Sequence, residues 1–233
     1  MLLALETSGE RGSVALFDGA RLLGELWLDA RERHAASLLV CLDRLLREQE
    51  RALAEVDQLA LAIGPGSFTG LRIGLATALG LAFGTTRTLV PVPTLAALAA
   101  QTQVDVPIAA ILDARRGEVY TGLYRADGSE LVSDSCGAVS DFLARLPADG
   151  EIAFLGGGVA AHRASISARL GSRARFLPFE AGQLGAASVG RLGLRLAAAG
   201  HALAPERVEL RYLRRAEAEA KRLALHAMAG PIP

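Results

Sequence analysis

The densest run of groups that could bind an anion is Gly64-Pro65-Gly66-Ser67-Phe68-Thr69-Gly70. It joins a strand pattern to a helical one, and at a helix start free backbone N–H groups and the helix dipole attract negative charge. Gly64, Gly66 and Ser67 are therefore candidates for a phosphate seat. The run lacks the Gly-Lys-Ser/Thr ending of a P-loop, however, and its nearest cation, Arg72, lies inside the helix. A plain tight turn explains the same residues. Gly156-Gly157-Gly158 carries the same two readings, with Gly156 and Gly157 as its candidates.

Two carboxylates, Glu6 and Asp113, each end an apolar run and enter a polar turn, with Ser8 just beyond the first. Facing each other across a cleft they would hold a phosphate and its metal; separately, each would cap its own turn. The histidines, His34, His162, His201 and His226, include no i, i+4 pair, so a histidine metal site is not expected. Ser67 has no base close in sequence and there is no Gly-x-Ser-x-Gly elbow, so no catalytic residue is nominated. Cys41 and Cys136 make no disulfide framework, and Cys41, set among leucines, reads as a small buried hydrophobe.

These residues need a scaffold, and the apolar pattern supplies one. Residues 2–5, 13–17 and 22–28 read as three antiparallel strands, the second and third joined by Asp18-Gly19. Residues 34–48 switch to helical spacing, 59–63 form a buried strand, and 69–84 a second helix capped by Ser67 or Thr69. The order then repeats: strands at 106–112 and 119–124, the Asp127-Gly128 turn, a strand starting at 131, a helix at 139–146, a strand at 152–155 and a helix at 159–170. Two βββαβα units imply an α/β protein of duplicated subdomains, 1–100 and 101–233, facing each other across a cleft. A helix near 184–199 is a candidate to pack back on the first subdomain. The arginine-rich stretch 207–222, with alternating charges, reads as a solvated face.

The second helix is unusual. Gly74 and Gly80 in its interior each cost about 0.8–1 kcal/mol relative to alanine, which some packing must offset. Gly70, Gly74 and Ala78 line one face, narrow enough for another helix to approach, while Leu71, Leu75, Leu79 and Ala82 line another. Such a helix must be covered on nearly every side, by its own sheet, by the preceding helix or by a partner.

Composition narrows the partners. The 233 residues carry 25 acidic and 25 basic side chains, so the chain has no basic footprint for gripping nucleic acid unaided. The longest strongly apolar run, 73–83, is too short to span a bilayer, and residues 1–15 have no leader pattern, so a cytoplasmic protein without membrane contact is expected.

Residues 60–74, Ala60-Leu61-Ala62-Ile63-Gly64-Pro65-Gly66-Ser67-Phe68-Thr69-Gly70-Leu71-Arg72-Ile73-Gly74, resemble almost letter for letter the signature of the TsaB family. These are YeaZ-like bacterial tRNA threonylcarbamoyladenosine biosynthesis proteins of the glycoprotease-like M22 superfamily. Leu5-Glu6-Thr7-Ser8, Leu112-Asp113-Ala114-Arg115-Arg116-Gly117-Glu118-Val119-Tyr120 and Tyr212-Leu213-Arg214 fall in the family's order and spacing, so the resemblance covers essentially the whole chain.

The resemblance implies the actin-like ATPase and sugar kinase fold, built from two ribonuclease-H-like subdomains. It also implies a role: a non-catalytic, required subunit of the complex that threonylcarbamoylates the adenosine beside the anticodon of ANN-decoding tRNAs. The family binds and organises the catalytic subunit TsaD and works with the ATPase TsaE. ATP and a metal ion are used by those partners, no cofactor is intrinsic, and tRNA is met through the complex. Homodimers are expected when TsaD is absent.

Where the catalytic relative carries a His-x-x-x-His metal pair, this sequence has only His34, with Leu38 four residues on, so the metal site is missing. The family pairs its first two helices with those of TsaD. This points to Leu38, Leu39, Leu42, Leu45, Gly70, Ile73, Gly74, Thr77 and Ala78 as partner-binding residues. Glu6, Ser8, Gly64, Gly66, Ser67, Asp113, Gly156 and Gly157 would then be a vestigial nucleotide cleft. The rival readings are an M22-type metallopeptidase-like enzyme and an ATP-dependent kinase-fold enzyme.

Overall fold

The computed structural model describes residues 1–28 and 35–214; His34, His226 and all of 215–233 lie outside the described residues. Strands β1 (Leu2–Glu6), β2 (Ser13–Asp18) and β3 (Arg21–Trp27) form an antiparallel meander. After α1 (Ala35–Glu48), strand β4 (Gln58–Ala62) pairs parallel to β1, and after α2 (Phe68–Ala82), β5 (Thr88–Val92) pairs parallel to β4. The sheet order is β3-β2-β1-β4-β5. A short helix α3 (Thr94–Ala99) follows.

The second half repeats this plan with β6 (Ile108–Arg115), β7 (Glu118–Tyr124), β8 (Glu130–Gly137), α4 (Val139–Ala144), β9 (Ile152–Leu155), α5 (Val159–Leu170), β10 (Ala174–Phe176) and α6 (Ala186–Ala198). Read from β8, its sheet order is β8-β7-β6-β9-β10, the same topology as the first. The repeat is thus one strand and one helix longer than the βββαβα unit read from sequence. Strand β6 also runs through Asp113 to Arg115, bulging between them, rather than ending before Asp113.

Alternation along the strands divides the core. Leu3 and Leu5 of β1 point outward with Val14 and Leu16 to meet Leu38, Leu42, Leu45 and Leu46 of α1 and Ala78 and Ala82 of α2. Leu2, Ala4, Ala15 and Phe17 point inward, toward the other sheet. Ile111, Val119 and Leu123 of the second sheet face outward beneath α4 and α5.

Between the two sheets lie α3 and α6, each displaced onto the other half. Helix α6 lies on β1, β2, β4 and β5, whereas α3 lies on β6 and β7. Two glycines let α6 come that close: a Cβ on Gly193 would stand 2.7 Å from that of Ala60, and one on Gly190 would collide with the Phe17 ring. The amide of Ala186 donates to Ser13 Oγ (2.8 Å) and that of Ala187 to Glu25 Oε1 (2.9 Å), so the first sheet caps this helix as well as supporting it.

Candidate functional site: the cleft turns and the outer face of α1 and α2

The turns singled out in the sequence meet where parallel strands end. Alternation puts Glu6 on the inner face of β1, and it is fully buried. Its Oε1 accepts from the Ser8 amide at 2.7 Å and from the Ser8 hydroxyl, while Oε2 has no hydrogen-bond partner among the described residues. Burial outweighs those hydrogen bonds and pushes the carboxyl up to about 7. Within the described residues this carboxyl serves its own turn, through the two Ser8 hydrogen bonds.

Asp113, its counterpart in the repeat, is exposed and accepts from the Arg115 amide at 2.7 Å, closing a local turn. The two carboxylates expected to face one ligand therefore occupy different environments. The turns themselves meet, with Glu10 and Arg115 paired at 3.4 Å. Among the described residues, no group of three or more His, Cys, Asp or Glu stands close enough to hold a metal ion.

The Gly64–Gly66 turn is filled by the chain itself. The Ser67 amide donates to Ser8 O (2.8 Å), and a Cβ on Gly66 would stand 2.6 Å from that same oxygen. Thr94 Oγ1 accepts from the Gly64 amide (3.1 Å) and the Thr94 amide donates to Gly64 O (3.0 Å). Ser67 Oγ accepts from the Gly70 amide at 3.2 Å and is the N-cap of α2. In the repeat, Gly156 lies against the Ile111 carbonyl, which accepts from Gly158 N at 3.0 Å, and Gly157 has open space around it. Both arrangements are tight turns packed against the chain's own backbone, the first against Ser8 and the second against Ile111.

The nine residues proposed for partner contact divide sharply. Leu38, Leu42, Leu45 and Ala78 are at most 4% exposed, packed into the chain's own outer core, and Thr77 is also buried. Ile73 is half-buried against the same cluster. Gly70 and Gly74 do serve a close approach, but to Thr7: a Cβ on Gly70 would collide with the Thr7 carbonyl, and one on Gly74 with its hydroxyl. The small-residue face thus docks α2 on the β1–β2 turn. Only Leu39, 46% exposed, points away from the molecule.

What faces outward is a different set. Phe68, Arg72, Ala76, Leu79, Gly80 and Phe83 recur along the exposed side of α2, with Tyr212 lying against Phe68 and Arg72 at one end, and Leu39 and Val40 are exposed on the neighbouring α1. Val40 is 67% and Phe83 89% exposed, with Phe68 and Leu79 partly so. Of the eight large hydrophobics exposed among the described residues, five lie on or just beyond these two helices. Burying such a side chain is worth about 1.5–3 kcal/mol, so exposed apolar side chains on two adjacent helices make this side of the molecule the candidate for interaction. Around it, Arg44 with Glu48 (2.7 Å) and Arg47 with Asp43 (2.9 Å) form a charged rim on α1. The sequence signal was available, since positions 68, 72, 76, 79 and 83 share one helical face, but the small-residue face of Gly70, Gly74 and Ala78 is the more conspicuous pattern.

Against known proteins, a family model described as "TsaD: tRNA N6-adenosine threonylcarbamoyltransferase" matches residues 28–221. The chain is 32% identical over 226 residues to the tRNA threonylcarbamoyladenosine biosynthesis protein TsaB of Bacillus subtilis, covering 94% of this chain and 96% of that protein. The chain belongs to the TsaB family. Among solved structures, YeaZ from Pseudomonas aeruginosa superposes with a TM-score of 0.77 at 31% identity, over 91% of this chain and 99% of that one. The activator of 2-hydroxyisocaproyl-CoA dehydratase from Clostridium difficile, solved with bound ADPNP, shares the fold at TM-score 0.50 and 7% identity, over 91% of this chain and 99% of that one. This TsaB-family chain therefore shares the duplicated two-sheet fold of that activator, which by itself assigns no chemistry.

Proposed function

We propose that this chain is a non-catalytic, required subunit of a tRNA threonylcarbamoyl transferase assembly, and that it acts by docking to and organising a TsaD-type catalytic subunit. The observation that carries this reading is the exposed apolar face of α1 and α2, in a chain whose relatives are named for tRNA threonylcarbamoyladenosine biosynthesis. A TsaE-type ATPase completes the assembly. ATP and a metal ion are used by the partner subunits, tRNA is reached through the complex, and the work is done in the cytoplasm. When the partner is absent, two copies cover the same face by pairing.

The internally occupied Gly64–Gly66 turn and the closed-off Glu6 support the non-catalytic part of the reading. A reconstituted mixture of TsaD, TsaE, ATP, threonylcarbamoyl adenylate and tRNA tests it. Modification should depend on this chain and saturate as it is titrated in; equal product without it contradicts the proposal.

A further inference from the structure

The segment after the 3-10 turn Pro205–Arg207, the last helical turn among the described residues, does work that its composition conceals. Val208 is buried in the outer core of the first sheet, and three residues later the Arg211 amide donates to Ile63 O at 2.8 Å. The Arg211 carbonyl fills the space beside Gly64, where a Cβ would stand 2.5 Å from it. Tyr212 then lays its ring against Phe68, centroids 5.2 Å apart. Its hydroxyl accepts from Arg72 Nε at 3.3 Å, and the Arg72 guanidinium lies 3.9 Å over the Phe68 ring. All these contacts are with the first half of the molecule.

The same residues also grip the second half. Arg211 Nη1 is 2.9 Å from Asp134 Oδ2 on β8; that carboxylate's side chain is fully buried, and its other oxygen accepts from the Tyr124 hydroxyl. Arg214 donates to Ala114 O at 2.9 Å and pairs with Glu118 at 3.3 Å, reaching both sides of the β6–β7 turn. The pair is half-buried, with Arg211 37% exposed and the Asp134 carboxyl covered and pushed up by its burial, so desolvation offsets much of the attraction and the contact matters chiefly for what it joins. An arginine that bonds one sheet through its backbone and the other through its side chain is suited to fixing how the two sheets sit.

We propose that residues 208–214 are a clasp that holds the two halves in one orientation across the cleft and opens as a local unit. Breaking its ionic grip releases the turns at both cleft edges while the sheets stay folded. Hydrogen exchange followed by mass spectrometry on the full chain tests this. Arg211→Met keeps the side-chain bulk and removes the charge. It should raise exchange tenfold or more in residues 61–72, 114–120 and 206–214, and leave β1, β2 and β9 at the rates of the unaltered protein. Adding Asp134→Asn removes the stranded charge, so thermal stability should recover while the fast exchange persists. Unchanged exchange at the cleft edges, or an equal rise throughout the chain, would overturn the proposal. If Arg211→Met does not fold, Tyr212→Ala, altered on the solvent side, serves instead: it must raise exchange in residues 61–72 and 206–214 selectively, and failure to do so counts equally against the clasp.

Discussion

At the residue scale, Glu6 makes the sharpest demand. Its carboxyl is raised from 4.5 to about 7 by burial, so folding favours the protonated form. The stability that this proton confers is complete below about pH 4.5 and is lost as the pH rises to about 7, a difference on the order of 3 kcal/mol. Urea unfolding at pH 5 and pH 8 should show the unaltered protein losing stability between the two, and Glu6→Gln losing distinctly less. Parallel behaviour of the two proteins would mean that Glu6 is not held protonated. The glycines of α2 give a second contrast. Gly70→Ala drives a methyl group into the Thr7 carbonyl and should destabilise by about 1–3 kcal/mol. Gly80→Ala enters open space and should stabilise by up to about 1 kcal/mol, with both values read from thermal or urea unfolding.

The elements show how a helix with two apolar sides divides its obligations. Leu38 and Leu39 are neighbours on α1, yet the first is fully buried and the second half-exposed. Leu38→Ala should cost about 2–5 kcal/mol by opening a cavity, and Leu39→Ala no more than about 0.5 kcal/mol in the isolated chain. Calorimetry on the two variants checks this, and equal losses would contradict the assignment of faces.

Periodicity revealed that both helices exist and that the first is amphipathic. It could not say which apolar side of α2 meets the chain's own sheet, because leucine and glycine faces are equally compatible with burial. Strand β5 escaped notice because Pro91 interrupts it; as an edge strand it tolerates the lost donor. Helix α3 was missed for the opposite reason, since all six of its residues are buried and no polar face marks its period.

For the whole molecule, duplication was legible because the turn signals recur in order, and the sequence offered the helix near 184–199 as a candidate to pack on the first subdomain, where α6 lies; the seating of α3 on β6 and β7 was not legible. A helix whose two faces touch different sheets carries no local mark of which sheet it belongs to. Nor did charge alternation show that Arg211 and Arg214 turn inward to Asp134, Ala114 and Glu118, since a bridging arginine and a solvated one look alike in sequence. The candidate helices were legible in the sequence, but which way each residue faces was not: Leu38, Leu42, Leu45 and Ala78 pack into the chain's own core, whereas Leu39, Val40, Phe68, Leu79 and Phe83 are exposed.

The most direct test of that face is the affinity of the purified chain for a TsaD-type catalytic subunit, measured by calorimetry for the unaltered protein and for Phe83→Asp and Val40→Asp. The docking account predicts at least a tenfold loss of affinity in each variant with thermal stability unchanged. Full affinity in both folded variants would contradict it.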